Sequence, residues 1–412
     1  MRQLSLWVLP NNGFDTLPQL REHLGGYQRE HPGERVALRV RTKSVMWDEL
    51  FRMIKDSRYG RRPDVVQIPA HWTSTLAHLG VLQDLKELDS SIDLENWTKL
   101  SRENCRLDDP DQIFSLPWWM ELRVLYYRRD ALKQVGKDPA ADLATWEGMT
   151  GVCRALKKRW KAGSGRFPIA NPNPRETVSM IDLAPCVWSR GGDFFSKDGS
   201  RCLFQREDAA RGIGAYFDLL NEGCMPLIGT NGLPPGDLFG GSCAMQISGR
   251  FPRPDGPHAI PPKISKELGV RPFPSDGRPG VTAMNVHSLA VVKDCESPRR
   301  AYGLLRELVR SSAAGSYSRM IGAFSATEGG LKRSLEEYPE MLEVFGRALQ
   351  TARSLPNLKV LGTIEKVFDR NMERLVRSIM HKRYGPQSLR KELIHASAEI
   401  DYVLSVYQGG NG

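Results

Sequence analysis

Apolar residues in the first part of the chain follow two periods in turn, and this alternation predicts strands separated by helices. A short apolar run at 4–9 precedes leucines at helical spacing over 17–31. A second apolar run at 36–40 precedes a second helical stretch at 47–55, and a third run occupies 65–69. Because strand and helix alternate at this spacing, we predict right-handed βαβ units and a mostly parallel sheet.

The same alternation resumes later and then gives way to helices. Thr145 is a suitable N-cap for a helix to Trp160, whose apolar residues recur every three or four positions. Strands are predicted at 167–170 and in the glycine-flanked run 239–251. The remaining predicted helices close the chain, at 338–354, 363–381 and 386–407. A chain of 412 residues exceeds the size of most single cores, so we expect two lobes.

One acidic residue stands inside an apolar and aromatic run between these two parts. Glu121 follows Trp118 and Trp119 and precedes the β-prone stretch 124–127. Burying an unpaired charge is costly, so Glu121 should face a partner, a wet cleft or a bound molecule. An ion-paired strand residue is the alternative interpretation.

Composition and charge narrow the possible classes of protein. The formal net charge of +10 is dispersed over the chain, which affects solubility more than it defines a nucleic-acid site. No apolar run approaches the roughly 18–20 residues of a membrane span, and the run after Met1 is too short for a secretory leader. The seven cysteines form no Cys-x-x-Cys pair, so zinc or thioredoxin-type chemistry has little support. Because seven is an odd number, we expect at least one free thiol, with room for one or two disulfides. His71 and His78 lack a third ligand nearby, so we expect neither a metal site nor a cofactor.

Several short segments, in order and at consistent spacing, resemble those of a known family. The chain resembles the extracellular solute-binding proteins of sugar ABC transporters, of the maltose-binding-protein-like type. The resemblance is carried by Asp64-Val65-Val66 with Gly80-Val81-Leu82-Gln83-Asp84-Leu85, Leu116-Pro117 with Leu125-Tyr126-Tyr127-Arg128-Arg129-Asp130, Thr145-Trp146-Glu147, Ala244-Met245-Gln246-Ile247-Ser248-Gly249, and Ala290-Val291-Val292 before Ser297-Pro298.

The resemblance implies a fold and a function. The fold is the two-lobed, type II periplasmic-binding-protein-like α/β fold, with mostly parallel sheets, hinge crossings and a helical C-terminal segment. Lobe 1 would comprise 1–117 and 267–318, and lobe 2 would comprise 118–266 and 319–412. The protein would be a monomer that binds a small carbohydrate in the inter-lobe cleft and closes on it. Its partners would be the permease subunits of an ABC importer, in the periplasm or at the cell surface.

Sugars present apolar ring faces and a belt of hydroxyls, so their sites combine aromatic plates with carboxylates, amides and guanidinium groups. The resemblance places His71, Trp72, Glu121, Arg250 and Phe324 at ligand-contacting positions. The full set of expected ligand-binding residues is His71, Trp72, Trp118, Trp119, Glu121, Asn173, Trp188, Arg250, His287 and Phe324. Most tryptophans pack in cores, and Trp72 is expected to be an exception because it lies on a strand-end loop. We therefore expect alanine at Trp72 or Glu121 to weaken binding more than folding.

Two other classes of function stay open. An enzyme would need a nucleophile elbow, a metal-binding helix or a phosphate loop, and none of these motifs occurs. A glycosidase would need two carboxylates, and only Glu121 stands out. A cytoplasmic ligand sensor on the same fold is the second alternative if the missing leader is genuine. Direct nucleic-acid binding has no motif to support it.

Overall fold

The computed structural model describes most of the chain, in two compact units. The described residues are 3–10, 17–55, 62–107, 109, 111–160, 163–170, 178–227, 238, 241–249, 261–276, 280–336 and 339–409. Unit 1 comprises 1–121, 285–339 and 354–362, and unit 2 comprises 122–284, 340–353 and 363–412.

Unit 1 is built on alternating strands and helices near the N-terminus, joined by later segments. Its elements before the first passage into unit 2 are β1 (Gln3–Val8), α1 (Leu17–Glu30), β2 (Arg35–Val40), α2 (Lys43–Lys55), β3 (Val65–Pro69), α3 (Thr73–His78), α4 (Lys99–Cys105) and β4 (Leu116–Leu122), with 3₁₀ turns at Ala70–Trp72 and Leu85–Glu87.

The first segment of unit 2 begins at the last residue of β4 and ends inside a long strand, β9. Its elements up to that strand are β5 (Val124–Arg128), α5 (Arg129–Lys133), α6 (Pro139–Asp142), α7 (Trp146–Arg159), β6 (Phe167–Ala170), α8 (Met180–Trp188), α9 (Glu207–Asn221), β7 (Cys243–Ser248), α10 (Pro262–Glu267), β8 (Leu268–Arg271) and β9 (Thr282–Val291). The rest of the chain is mainly helical, with α11 (Pro298–Val309), α12 (Ser311–Met320), β10 (Phe324–Ser325), α13 (Glu328–Glu336), α14 (Pro339–Gln350), β11 (Ala352–Arg353), α15 (Leu361–Met380) and α16 (Pro386–Gly409).

The two sheets are mixed rather than mostly parallel, which corrects that part of the fold prediction. One sheet has the order β10-β4-β9-β3-β1-β2, with β11 beside β9, and the other has the order β6-β7-β5-β8. The predicted βαβ units are present, since β1 runs parallel to β2 and to β3. However, β9 is antiparallel to β3, and β5 is antiparallel to both of its neighbours. Strands that return from a distant part of the chain need no crossover helix, so the βαβ rule does not fix their direction.

Four of the five passages between the compact units fall inside elements, and the bounds of the units differ from the expected lobe bounds. Residues 118–121 lie in unit 1, where β4 continues past Pro117 and pairs with β10. Residues 319–339 also belong to unit 1, since they contain β10. Residues 267–284 belong to unit 2, where β8 pairs with β5.

The core of unit 1 lies on one face of its sheet. Val66 and Ile68 of β3 and Ala290 of β9 point to this face and pack against α2 and α3. The rest of that cluster is Trp7, Leu9, Met46, Trp47, Leu50, Met53, Trp72, Leu76, Val81, Leu82 and Val292. Side chains alternate along a strand, so Gln67 points to the opposite face. Among the described residues, no helix is long and apolar enough to cross a membrane.

The seven cysteines are buried thiols, and we expect them to be unreactive in the folded protein. Burial raises the pKa of Cys105 to about 11 and that of Cys186 to about 12. The thiolate is the reactive form, and burial keeps these groups protonated and out of contact with reagents until the chain unfolds. A disulfide-exchange reagent at pH 8 should therefore titrate few or no thiols in the native protein and seven in denaturant. Three or more titrated thiols in the native protein would contradict this burial. Five titrated thiols in denaturant, instead of seven, would indicate one disulfide.

Candidate functional site

A buried glutamine on β3 begins the polar part of unit 1. Gln67 is fully buried although it stands in the apolar run Val65–Pro69. Its side-chain oxygen, Oε1, accepts a hydrogen bond from the backbone N–H of Leu9 at 3.2 Å. Its side-chain nitrogen, Nε2, lies 3.1 Å from Nδ1 of His287 on the neighbouring strand β9. The glutamine therefore links the end of β1 to a histidine on β9.

These contacts fix the tautomer of His287. The Leu9 N–H holds the amide oxygen of Gln67, so the amide N–H₂ group faces His287 and donates to Nδ1. The proton of the neutral imidazole is then on Nε2. The Asn285 amide lies 3.0 Å from this nitrogen, and its Oδ1 has no partner among the described residues. We assign the amide so that Oδ1 accepts from His287 Nε2–H, because a neutral imidazole whose Nδ1 accepts can only donate through Nε2.

An aromatic ring covers this histidine. Trp119 of β4 stacks on His287, with ring centroids 3.8 Å apart and planes 13° from parallel. Glu121 lies two residues further along β4 and hence on the same face of the strand. Gln67, His287, Asn285, Trp119 and Glu121 form what we call the polar row.

The polar row changes in exposure from one end to the other. Gln67, His287 and Trp119 are buried, whereas Glu121 and Asn285 are half-buried. Glu121 is the last residue of unit 1 on β4, and Asn285 is the first residue of unit 1 on β9. A carboxylate and an amide are therefore held at the accessible end by a buried, hydrogen-bonded chain. The Glu121 carboxylate can accept hydrogen bonds from the hydroxyls of a small polar molecule.

Trp72 does not present a face to a ligand in this structure. It is 2% exposed and belongs to the core cluster described above. Its ring meets Trp47 edge-on, with centroids 4.9 Å apart, and the Lys43 ammonium lies 5.6 Å from the ring centre. The 3₁₀ turn Ala70–Trp72 after β3 directs the indole back onto α2, so its position at a strand end did not imply an accessible side chain.

Three further predicted residues of unit 1 are also packed inside it. His71 lies in the same turn as Trp72 and is 3% exposed. Trp118 stacks on Tyr317 of α12 at 4.4 Å, with the two planes within 6°. Phe324 is 1% exposed and pairs across the sheet with Met120. Trp118 points away from Trp119 because successive strand residues face opposite sides.

In unit 2, the predicted Trp188 lies at the end of α8. It is 3% exposed, its indole N–H donates to Asp193 at 3.1 Å, and the Arg353 guanidinium lies 4.6 Å from the ring centre. The other two predicted residues, Asn173 and Arg250, lie outside the described residues.

A buried ion pair in unit 2 was not foreseen from the sequence. Arg123 Nη2 lies 2.8 Å from Asp182 Oδ1, with side-chain exposures of 9% and 1%. Ser179 donates its hydroxyl to Asp182 Oδ2 at 2.5 Å. Burial raises the pKa of Tyr216 well above its ordinary value, and the nearby Asp182 carboxylate raises it further. The charge of Arg123 is therefore matched by the Asp182 carboxylate.

Metal binding has no support in the part of the chain that is described. Among the described residues, there is no group of three or more histidine, cysteine, aspartate or glutamate side chains that could hold a metal ion.

The two α/β units, with strands that pass from one to the other, define a two-lobed periplasmic-binding-protein-like fold. Residues 27–341 match the family model for bacterial extracellular solute-binding proteins. The chain therefore belongs to the family of bacterial extracellular solute-binding proteins, whose members are binding proteins. A comparison with curated proteins finds no match.

Solved structures share this fold at low sequence identity. An ABC substrate-binding protein from Listeria monocytogenes in complex with cycloalternan has a TM-score of 0.77 and 16% identity, covering 98% of this chain and 99% of that one. The GacH receptor of Streptomyces glaucescens, solved unliganded and with acarbose, has a TM-score of 0.78 and 13% identity, covering 98% and 99%. Maltose-bound MalE3 of T. maritima has a TM-score of 0.78 and 17% identity, covering 97% and 99%.

Proposed function

We propose that this protein is the carbohydrate-binding component of an ABC importer. The observation that carries the proposal is the polar row, in which half-buried Glu121 and Asn285 stand beside the buried Trp119–His287 stack. Family membership supports a binding role, and the neighbours of the same fold were solved with cycloalternan, acarbose and maltose. The same proposal includes a location outside the cytoplasm, permease subunits as partners and a monomeric state.

The chemistry of the row suits a saccharide. The half-buried Glu121 carboxylate can accept hydrogen bonds from the hydroxyls of a saccharide. Hydrogen bonds to a charged group contribute about 1.5–3 kcal/mol each, which makes Glu121 the largest single polar contribution expected here. That the two lobes close on the ligand stays a prediction of the family resemblance.

A thermal-shift screen over neutral mono- and oligosaccharides and acidic sugars tests the function itself. A ligand at 100 times its dissociation constant adds about 2.7 kcal/mol to stability, which is a readily measured shift in melting temperature. If no saccharide in such a panel stabilises the protein, the proposed substrate class is wrong.

We predict that Glu121→Gln weakens binding of the saccharide found in this screen about ten- to a hundredfold, because a charge-assisted hydrogen bond is lost. Calorimetric titration measures the affinity, and urea unfolding should show a stability within about 1 kcal/mol of wild type because Glu121 is half-buried. The matched control is Glu103→Gln, an exposed glutamate on α4 of the same unit. Equal affinities for all three proteins would exclude Glu121 from the site.

A further inference from the structure

The last two helices of the chain, α15 and α16, form an antiparallel hairpin. Arg370 of α15 contacts Glu399 of α16 at 2.8 Å, and Arg374 contacts Glu392 at 3.1 Å. Residues later in α15 thus contact residues earlier in α16, so the two helices run in opposite directions. The end of α15 and the start of α16 therefore lie at the same end of the hairpin, joined by residues 381–385. We call this end the hairpin tip.

Hydrogen bonds give the backbone of the hairpin tip a defined conformation. After α15, the Arg383 N–H donates to the carbonyl oxygen of Ser378 at 2.8 Å. Lys382 adopts φ +54°, the left-handed conformation in which many helices end. The Tyr384 hydroxyl donates to Asp218 Oδ1 of α9 at 3.0 Å, which holds the turn against the rest of unit 2. The side chains of the tip therefore project from a turn that is bonded in place.

The hairpin tip carries an excess of positive charge. Four of its permanent cations are exposed, namely Lys382, Arg383, Arg390 and Lys391. In the part of the chain that the structure describes, no ion pair or side-chain hydrogen bond engages any of these four cations. The carboxylates placed beside the tip by the contacts above are Asp218, which accepts from Tyr384, and Glu392, which contacts Arg374. Four cations against these two carboxylates leave the tip positive.

Two apolar side chains are exposed together with these cations. Met380 is the last residue of α15, directly before the turn, and it is 52% exposed. Ile394 is 45% exposed and follows Arg390 and Lys391 by four and three residues, so it shares their face of α16. Apolar surface in contact with water is unfavourable. The tip therefore presents apolar and cationic groups to the same partner.

We propose that the hairpin tip binds the surface of an anionic lipid bilayer. The negative potential of such a surface attracts lysine and arginine, and apolar side chains can enter the boundary between headgroups and acyl chains. A nucleic acid or a solvated acidic protein surface would match the four cations but would leave Met380 and Ile394 without an apolar partner. The tip belongs to unit 2 and the polar row to unit 1, so this proposal does not depend on the carbohydrate site.

The test is co-sedimentation of the full chain with lipid vesicles at an ionic strength of about 0.1 M, where the Debye length is about 10 Å. Vesicles of phosphatidylglycerol are the anionic probe, and vesicles of phosphatidylcholine are the zwitterionic reference. Polyglutamate, measured separately, offers negative charge without an apolar layer.

Three double variants remove the charged and the apolar groups of the tip in turn. They are Lys382→Gln/Arg383→Gln, Arg390→Gln/Lys391→Gln and Met380→Ser/Ile394→Ser. The matched control is Lys197→Gln/Arg201→Gln, which removes two exposed cations of unit 2 that lie outside the tip.

Wild type should bind the phosphatidylglycerol vesicles and not the phosphatidylcholine vesicles. Each removed cation should lower the partition coefficient about fivefold, or about 1 kcal/mol, so each charge variant should bind about 25-fold more weakly. Met380→Ser/Ile394→Ser should lose at least about fivefold on vesicles, because apolar burial is lost, and should bind polyglutamate as wild type does. The control should stay within about twofold of wild type on vesicles.

Three results would overturn the proposal. The first is absence of binding to phosphatidylglycerol vesicles, and the second is a control that binds as weakly as the charge variants. The third is full retention of vesicle binding by Met380→Ser/Ile394→Ser, because the partner would then be any acidic polymer rather than a bilayer. If one charge variant does not fold, the other decides between these outcomes.

Discussion

Trp72→Ala is expected to lower the free energy of unfolding by about 3–5 kcal/mol, the usual cost of removing a buried indole from a core. The indole is 2% exposed and packs edge-on against Trp47 within the core cluster of unit 1. Its removal leaves a cavity that α2 and α3 fill only in part. Urea unfolding of wild type and variant measures the difference.

The control for this prediction is Tyr402→Ala on α16, where the side chain is 70% exposed. Its stability should lie within about 0.5 kcal/mol of wild type. A Trp72→Ala protein that is as stable as wild type but no longer binds ligand would restore the sequence-based expectation and contradict the packing described above.

Asp182→Asn is expected to destabilise the protein by about 3–5 kcal/mol, because it leaves the Arg123 charge buried without its carboxylate. Asp182 also stands in the first turn of α8, where a negative charge interacts favourably with the helix dipole. Both effects lower the stability of the variant. Urea or thermal unfolding measures the loss.

Two comparisons show whether that loss comes from the buried charge. Glu222→Gln breaks the exposed contact of Glu222 with Arg154 and should cost at most about 1 kcal/mol. The double variant Arg123→Met/Asp182→Leu replaces the pair with apolar groups and should recover most of the stability lost in Asp182→Asn. If Asp182→Asn costs no more than Glu222→Gln, the pair does not hold a buried charge in the way its geometry indicates.

Local chemistry allowed several elements to be placed from sequence. Thr145 was predicted to cap a helix, and its hydroxyl accepts a hydrogen bond from the Gly148 N–H at 3.1 Å. Gly223 follows the end of α9 and adopts φ +66°, which glycine reaches without a side-chain clash. The three C-terminal helices were placed within a few residues of α14, α15 and α16. These features depend on residues a few positions apart.

The candidate site was harder to predict because its residues meet across strands. His287 and Trp119 were each expected to contact ligand, but their stack depends on β4 and β9 lying side by side. Gln67 was missed, although a glutamine inside an otherwise apolar strand is a signal of a buried polar role. Asp182 was missed because an acidic residue near a helix start is ordinarily a surface feature.

The sequence by itself determined the class of fold, the alternation of strands and helices, the helical end of the chain and the family resemblance. These depend on the order and period of residues along the chain. Only the tertiary structure decided that Trp72 lies in the core, that Arg123 is matched by Asp182, and that Gln67, His287 and Asn285 are hydrogen-bonded in series. Each of those outcomes depends on which face of an element is covered by residues distant in sequence, and periodicity along one segment does not specify its neighbour.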